Sequence, residues 1–147
     1  MRLSQKGEYG LLALLELAKR YGQGPLQSAT IAAQREIPAQ YLQQILLSLQ
    51  RAGLIRSERG PRGGHELARP PAEITLLSAV EALEGSSAPA ACSDAGATSD
   101  CARRSSCVLL DIWRQVDEAT RAILGGITLA DLARREEERN AAPMYHI

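Results

Sequence analysis

The chain has 147 residues, 45% of them hydrophobic, and its 17 basic and 17 acidic side chains give no formal net charge at pH 7. This length suits one ordinary domain or a small domain with an appendage, and the absence of phenylalanine requires a core of Leu, Ile, Val and Ala, which favours helices. No apolar run approaches the ~20 residues of a membrane span, and the start lacks the profile of a signal peptide, so the sequence predicts a cytoplasmic protein with no membrane partner.

The neutral total hides an asymmetry between the two halves of the chain. Residues 1–70 carry ten Lys or Arg against five Glu, whereas residues 71–147 carry seven against twelve acidic residues. The halves therefore have charges of +5 and −5. A basic front half predicts that a polyanion binds there, while the acidic back half does something else.

Three helices are predicted in the front half. The first covers 11–22 and is apolar at most positions, the second runs from about Ser28 to Arg35, and the third opens at Pro38 after a turn and runs to about Ala52. The third helix has one apolar stripe, and its opposite face displays Gln40, Tyr41, Gln44, Ser48 and Arg51.

The second and third helices have the pattern of a helix-turn-helix, over about residues 28–52. The second helix of such a unit enters the major groove, where glutamine can bond bidentately to adenine and Tyr, Ser or Arg can reach phosphates or bases. An ordinary solvated helix face is the alternative reading of this pattern taken alone.

A small two-stranded wing is predicted over residues 54–68. Two strand-like runs, 54–58 and 64–68, flank the turn Arg59-Gly60-Pro61-Arg62-Gly63. Arginine at a wing tip suits a minor groove or a phosphate clamp, because it stays charged and its fork fits both. His65 follows the wing glycines and either touches DNA or is an ordinary surface residue. Residues 1–70 thus read as a winged helix-turn-helix domain.

Three cysteines, Cys92, Cys101 and Cys107, lie in a loop over 85–107 that offers no periodicity to bury a thiol. A structureless connection of this length is uncommon without a function, and three soft thiolates suit a metal or iron-sulfur site. Cys107 precedes a predicted helix, whose dipole favours the thiolate form. Zinc or a bare thiol switch remains open, although the paired Cys-x2-Cys spacing of structural zinc sites is absent.

The back half, 71–147, continues with a long amphipathic helix over 107–124 that contains Trp113, expected to anchor a dimer or a core. Gly125-Gly126 ends this helix, and a last short helix follows. Its RREEER run is expected to be a solvated, internally paired charge face. The predicted fold is mainly α, a winged helix-turn-helix domain with a long dimerisation helix.

Five segments of the chain form a recognisable series: the opening MRLSQKGEYGLLALLELA, the YLQQIL run, the RGPRGGHEL wing, the Cys-x8-Cys-x5-Cys loop followed by Trp113, and ITLADL. In their order and spacing they resemble winged-helix regulators of the IscR, NsrR and CymR type, the Rrf-two family, and its Gram-positive IscR-like members in particular. The resemblance covers essentially the full length. It implies a homodimeric transcription factor that binds a palindromic operator in double-stranded DNA, with the long helix packed on its copy.

The resemblance also implies roles for particular residues. Cys92, Cys101 and Cys107 occupy the positions that hold an iron-sulfur cluster, [2Fe–2S] rather than [4Fe–4S]. The residues at positions that contact DNA in the family are Arg2, Gln40, Tyr41, Gln44, Arg59 and Gly60, to which the helix face and the wing add Arg51 and Arg62.

Two departures from the family pattern stand out. Glu36 replaces the usual turn glycine, which suggests a somewhat different turn. Leu110 stands where proteobacterial IscR has a histidine ligand, so the fourth ligand is open. Glu8 from the partner subunit is the expected ligand, with Asp111 or His146 as alternatives, although Glu8 would otherwise simply cap or solvate the first helix.

The expected function is transcriptional regulation, as a repressor that senses iron-sulfur cluster, iron or redox status and controls iron-sulfur assembly genes. The alternative is a nitric oxide-sensing or cysteine-metabolism regulator that uses a thiol or zinc switch. A clusterless regulator controlled by a partner enzyme is a further reading. No Ser-His-Asp set, phosphate loop or acid/base pair is recognisable, which argues against an enzyme.

Overall fold

The computed structural model describes residues 1–94, 96 and 101–142. In this part of the chain six helices and one two-stranded sheet occur, in the order α1 (Gln5–Lys19), α2 (Ser28–Arg35), α3 (Ala39–Arg51), β1 (Ile55–Glu58), β2 (Gly64–Leu67), α4 (Leu76–Glu84), α5 (Val108–Gly125) and α6 (Leu129–Ala141). The mainly α, winged-helix prediction is confirmed. Residues 143–147, which include the candidate ligand His146, lie outside the described residues. No helix among those described is both long and apolar enough to cross a membrane.

The turn between α2 and α3 keeps a left-handed residue although it contains no glycine. Glu36 adopts φ 52° and ψ 41°, and the N–H of Ile37 donates to the carbonyl of Ala32 at 3.0 Å. Pro38 then begins α3 as its N-cap. Glu36 therefore takes up the backbone geometry that glycine adopts more easily.

The wing is an antiparallel pair in which Ile55 lies opposite Leu67 and Glu58 opposite Gly64. Its second strand also pairs with the segment that precedes α2, through two hydrogen bonds of 2.8 Å between the backbones of Leu26 and His65. At Gly64 a Cβ atom would lie 2.6 Å from the carbonyl oxygen of Leu26, and φ is +152°. Only glycine permits this close approach, which attaches the wing to the helix-turn-helix.

One hydrophobic core includes residues from both sides of position 70. In the front half it contains Leu14, Ile31, Ile45 and Leu49, and in the back half it continues through Ile74, Ala79, Leu83 and Leu129. The starts of α4 and α6 are held together by backbone hydrogen bonds from Leu76 to Ile127 (2.8 Å) and from Leu129 to Ile74 (2.9 Å). The helices α4 and α6 thus pack on the winged domain itself.

An ion-pair network joins α6 to the helix-turn-helix. Arg35 donates from Nη1 and Nη2 to the two carboxylate oxygens of Glu136, at 2.6 and 2.9 Å, and from Nε to Glu16 at 2.9 Å. Lys19 adds a contact of 3.2 Å to Glu136. The expectation that the RREEER run is wholly solvated is therefore wrong at Glu136, because this carboxylate pairs with α1 and α2 rather than with its own helix.

We expect Glu36→Gly to stabilise the protein by roughly 0.5–1 kcal/mol. A non-glycine residue in the left-handed region costs about 1–2 kcal/mol, and the greater freedom of unfolded glycine offsets part of the gain. Urea unfolding at fixed protein concentration measures the difference. Glu36→Ala is the matched control and should bring no gain, since alanine keeps the strained Cβ; equal gains in both variants would contradict this account.

The pairs with Arg35 and Lys19 lower the pKa of Glu136 to about 2, the hydrogen bond from Arg35 being the largest cause. Because the folded-state pKa lies below the unfolded value, the stabilisation is present above the ordinary carboxyl range and is lost as pH falls from about 4.5 toward 2. The difference in unfolding free energy between wild type and Glu136→Gln should therefore shrink over that interval. Glu137→Gln, which changes an exposed neighbour, should show no such trend in the same urea titrations.

Candidate functional site

The outward face of α3 is uncharged over its first three turns. Gln40 and Gln44 are exposed as predicted, and Arg51 is exposed at the end of the helix. Three further exposed side chains escaped the sequence prediction: Gln43, Leu47 and Gln50. Gln43 and Leu47 lie three residues after the predicted Gln40 and Gln44, and Gln50 lies three residues after Leu47, so a wider choice of the helical face would have included all three.

Two of the predicted α3 contacts are partly engaged inside the protein. Tyr41 is half-buried and packs edge-on against Tyr9, with ring centroids 5.8 Å apart. The hydroxyl of Ser48 donates to the carbonyl of Gln44 at 3.1 Å. Tyr41 can therefore offer DNA only the exposed part of its ring, whereas the glutamine amides stand clear of the core.

The wing tip presents two arginines to solvent. Arg59, Gly60 and Arg62 are all exposed, and neither arginine forms an ion pair within the described part of the chain. A hydrogen bond of 3.0 Å from the N–H of Gly63 to the carbonyl of Gly60 closes the turn, and Gly60 has φ +108°. The cationic tip is thus held on a defined turn, a geometry that suits phosphate or minor-groove contact.

A pocket of about 330 Å³ separates α3 from the wing. Leu46 and Leu47 line it from the helix, and Ser57 and His65 line it from the strands. The Oγ of Ser57 lies 2.7 Å from Nδ1 of His65, and burial lowers the pKa of His65. His65 accordingly lines this pocket as a neutral ring near neutral pH. The pocket wall is formed jointly by α3 and the wing.

Arg2, another predicted DNA contact, lies just before α1 and is exposed. The start of α1 is fixed by Glu84, whose Oε1 accepts hydrogen bonds from the N–H (3.1 Å) and Oγ (2.5 Å) of Ser4. A Cβ atom at Gly7 would lie only 2.0 Å from the same oxygen. Glu84, the last residue of α4, thereby fixes the position of the N-terminal arm. The cysteine loop begins at the next residue.

The three cysteines are free thiols on the back half. Cys92 is half-buried in the 3₁₀ turn Ala91–Ser93, Cys101 is exposed, and Cys107 is the half-buried N-cap of α5. Their chemistry fits an iron-sulfur cluster, which thiolates bind. Within residues 1–94, 96 and 101–142, however, no three His, Cys, Asp or Glu side chains are gathered as a metal site. Cys92, Cys101 and Cys107 therefore remain candidate ligands, as the resemblance implies.

The candidates for a fourth ligand differ in position. Glu8 is exposed in the first turn of α1 and borders an apolar groove of about 300 Å³ that Leu3, Leu11 and Leu12 also line. Asp111 is exposed in the first turn of α5, one turn after Cys107. Leu110 is buried and lines a pocket with Ser106 and Cys107 at the end of the loop, but its side chain has no atom that could bind a metal.

The helix α5 exposes an apolar face. Of its 18 residues only Leu110 and Asp117 are buried, and six large apolar side chains are exposed: Val108, Leu109, Ile112, Trp113, Val116 and Ile123. Their spacing places them on one side of the helix. Monomeric proteins seldom expose so continuous an apolar surface, which marks it as an interaction face.

These features define a winged helix-turn-helix DNA-binding protein that carries a cysteine loop and an apolar helix face. The Rrf2 family model, described as an iron-dependent transcriptional regulator, matches residues 3–135. CymR of Bacillus subtilis is 33% identical over 147 residues, which cover all of both chains. IscR of Xenorhabdus nematophila is 31% identical over 142 residues, 97% of this chain and 85% of that protein.

Solved structures agree with the family match. IscR of T. potens gives a TM-score of 0.77 at 32% identity and covers 99% of this chain and 95% of that one. CymR, the global cysteine regulator of B. subtilis, gives 0.75 at 32% identity over 92% of this chain and 98% of that one. The chain belongs to the Rrf2 family of transcriptional regulators, as its resemblance to the Rrf-two family predicted, and the family and these relatives are regulators rather than enzymes. Regulators of this family bind DNA and are typically dimeric.

Proposed function

We propose that this regulator is a homodimeric repressor that senses iron-sulfur cluster, iron or redox status and controls genes of iron-sulfur cluster assembly. The observation that carries the proposal is the placement of three free thiols between the winged domain and α5. A change at the loop acts at the start of α5, since Cys107 is the N-cap of that helix.

The DNA surface proposed for each protomer consists of α3 and the wing. Glutamine amides on α3 suit the major groove, and the exposed guanidinium groups of Arg59 and Arg62 suit backbone or minor-groove contact. Arg2 and Arg51 add further exposed positive charge. Two copies related by a two-fold axis would read a palindromic operator and exclude polymerase from the promoter.

The second copy is proposed to pack on the apolar face of α5. The groove bordered by Leu11, Leu12 and Glu8 on α1 offers an apolar receptor of matching character. We propose that α5 of one protomer lies against α1 of the other, with its Cys107 end toward the other protomer's Glu8. That orientation would make Glu8 a ligand from the partner subunit.

The cluster would be held by Cys92, Cys101 and Cys107 with Glu8 of the other protomer, as a [2Fe–2S] rather than a [4Fe–4S] group. When bound, it supplies a centre whose oxidation, nitrosation or loss changes the charge of the loop. A carboxylate is a harder ligand than a fourth thiolate, so this donor set suits exchange and sensing better than permanent retention. Asp111 would be the replacement ligand within the same protomer.

A second candidate function is regulation of cysteine metabolism, or of the nitric oxide response, through a thiol or zinc switch. The specific observation in its favour is full-length similarity to CymR, a global cysteine regulator, together with the exposed thiol of Cys101. Both functions use the same DNA surface, so the metal content of the protein separates them.

We expect Ile112→Glu to convert the dimer to a monomer, because it places a charge at the centre of the apolar face of α5. Sedimentation velocity at micromolar concentration measures the change. Ala122→Glu, at an exposed position on the polar side of the same helix, is the matched control and should leave the dimer intact. A variant Ile112→Glu that still sediments as the wild type would rule out this interface.

Anaerobically purified wild type should show visible charge-transfer absorption with stoichiometric iron and sulfide. Cys101→Ser should remain dimeric but lose the iron and the cluster-dependent change in DNA binding, and Glu8→Ala should weaken cluster retention without abolishing the fold. Iron, sulfide and absorbance are measured beside fluorescence anisotropy with DNA. A colourless wild type after anaerobic reconstitution would favour the thiol or zinc switch, and a Cys101→Ser variant that keeps iron and regulation would overturn the ligand assignment.

A further inference from the structure

Leu47 is an apolar side chain on a face where hydrogen-bonding groups are otherwise displayed. Within residues 1–70, all of which the structure describes, the exposed large hydrophobic side chains are Met1, Tyr21 and Leu47, and only Leu47 belongs to the helix-turn-helix. It is 48% exposed, whereas the neighbouring Leu46 and Leu49 are buried. Leu47 is therefore free to contact whatever lies against α3.

The surroundings of Leu47 are a pocket shared by α3 and the wing. Leu47 and Leu46 are its aliphatic lining residues, and Gln43, Gln44, Gln50, Ser57 and His65 complete it. No acidic residue occurs in α3, and Arg51 lies at its end, so the electrostatics of the face favour DNA over an acidic protein surface. Leu47 lies on the same exposed side of α3 as the glutamines and would meet the same binding partner.

The major groove offers two kinds of group to a recognition helix, polar base edges and the C5-methyl of thymine. A leucine side chain has no hydrogen-bonding atom, so the methyl group is the base feature that it can recognise. We propose that Leu47 reads a thymine methyl group in each operator half-site. This inference rests on the proposed DNA-binding function of α3 and adds a specificity-determining residue to it.

The position of the thymine relative to other contacts follows from helix geometry. Leu47 lies three residues after Gln44 and four after Gln43, on the same face and about 4.5–6 Å further along the axis. Successive bases are about 3.4 Å apart along one strand. The thymine is therefore one or two base pairs from the base that these glutamines contact, adenine being the partner that a glutamine amide matches best.

The test begins with selection of binding sites from random double-stranded DNA by the full-length dimer, in both its cluster-loaded and cluster-free states. Each thymine of the selected operator is then replaced by deoxyuridine, which removes the methyl group and leaves base pairing intact. For the wild type, deoxyuridine at one thymine position, equivalent in the two half-sites, should reduce the affinity for the operator roughly 3- to 10-fold, as expected for loss of one buried methyl contact. Fluorescence anisotropy at fixed salt concentration gives the dissociation constants.

The variants decide whether Leu47 is responsible. Leu47→Ala should bind the thymine and deoxyuridine operators equally well, and Leu47→Met, which keeps an apolar contact, should retain the preference for thymine. Circular dichroism confirms folding of both variants, whose changed side chain is largely outside the core. A uniform loss for Leu47→Ala on both operators would mean contact with the sugar-phosphate backbone and would overturn the inference.

Failure of the inference is distinct from failure of the proposed function. A defined operator that tolerates deoxyuridine at every thymine overturns the role of Leu47 and leaves DNA regulation standing. If neither state of the protein enriches any sequence or binds DNA, both proposals fall together.

Discussion

The bidentate pair between Arg35 and Glu136 is the contact on which the relation between the helix-turn-helix and the back half depends. Arg35 is the last residue of α2, its side chain is only 13% exposed, and it also donates to the buried Glu16 of α1. Two parallel hydrogen bonds fix an orientation as well as a distance, which a leucine contact would not do. Removal of the guanidinium would leave the buried Glu16 with the longer contact to Arg20, at 3.9 Å, as its remaining ion pair in the described residues. Loss of one partner of a buried pair typically costs about 3–5 kcal/mol, and the contact with Arg20 should keep the cost toward the lower end. One side chain therefore aligns α1, α2 and α6.

The sequence allowed the helix-turn-helix and the wing to be predicted because each follows from local chemistry. The apolar stripe of α3 has the helical period, and the glycine- and arginine-rich turn lies between two strand-like runs. The role of Glu136 was not predictable in this way, since its partner Arg35 lies 101 residues away and the neighbouring charges supply a plausible local pairing. Leu47 was missed because it extends an apolar run, and only the packing of α3 shows which leucine is left outside.

For the cysteine loop, the sequence predicts the chemistry of the side chains but not their arrangement in space. Thiol chemistry could be predicted from three residues in an unlikely setting, but the geometry of a ligand set could not, because in the proposed site one ligand would come from a second protomer. The cluster and that protomer would each add contacts beyond those of the described residues. Sequence thus indicates which donors exist, whereas the proposed assembly would decide whether Glu8 or Asp111 completes the set.

The attachment of β2 to the segment before α2 has a consequence for operator architecture. Because Leu26 pairs with His65, and the side chain of Gln27 reaches the carbonyl of Pro61 at 3.4 Å, the wing is bonded to the segment that leads into the helix-turn-helix. In the proposed DNA complex the wing and α3 would therefore move together and could not follow a displaced half-site independently. One inserted base pair turns a half-site by about 34–36° around the duplex axis, since a turn contains about 10–10.5 base pairs. In the proposed dimer, tolerance of altered half-site spacing would then have to come from movement between the protomers or from deformation of the DNA, and a narrow range of permitted spacings would be the expected result.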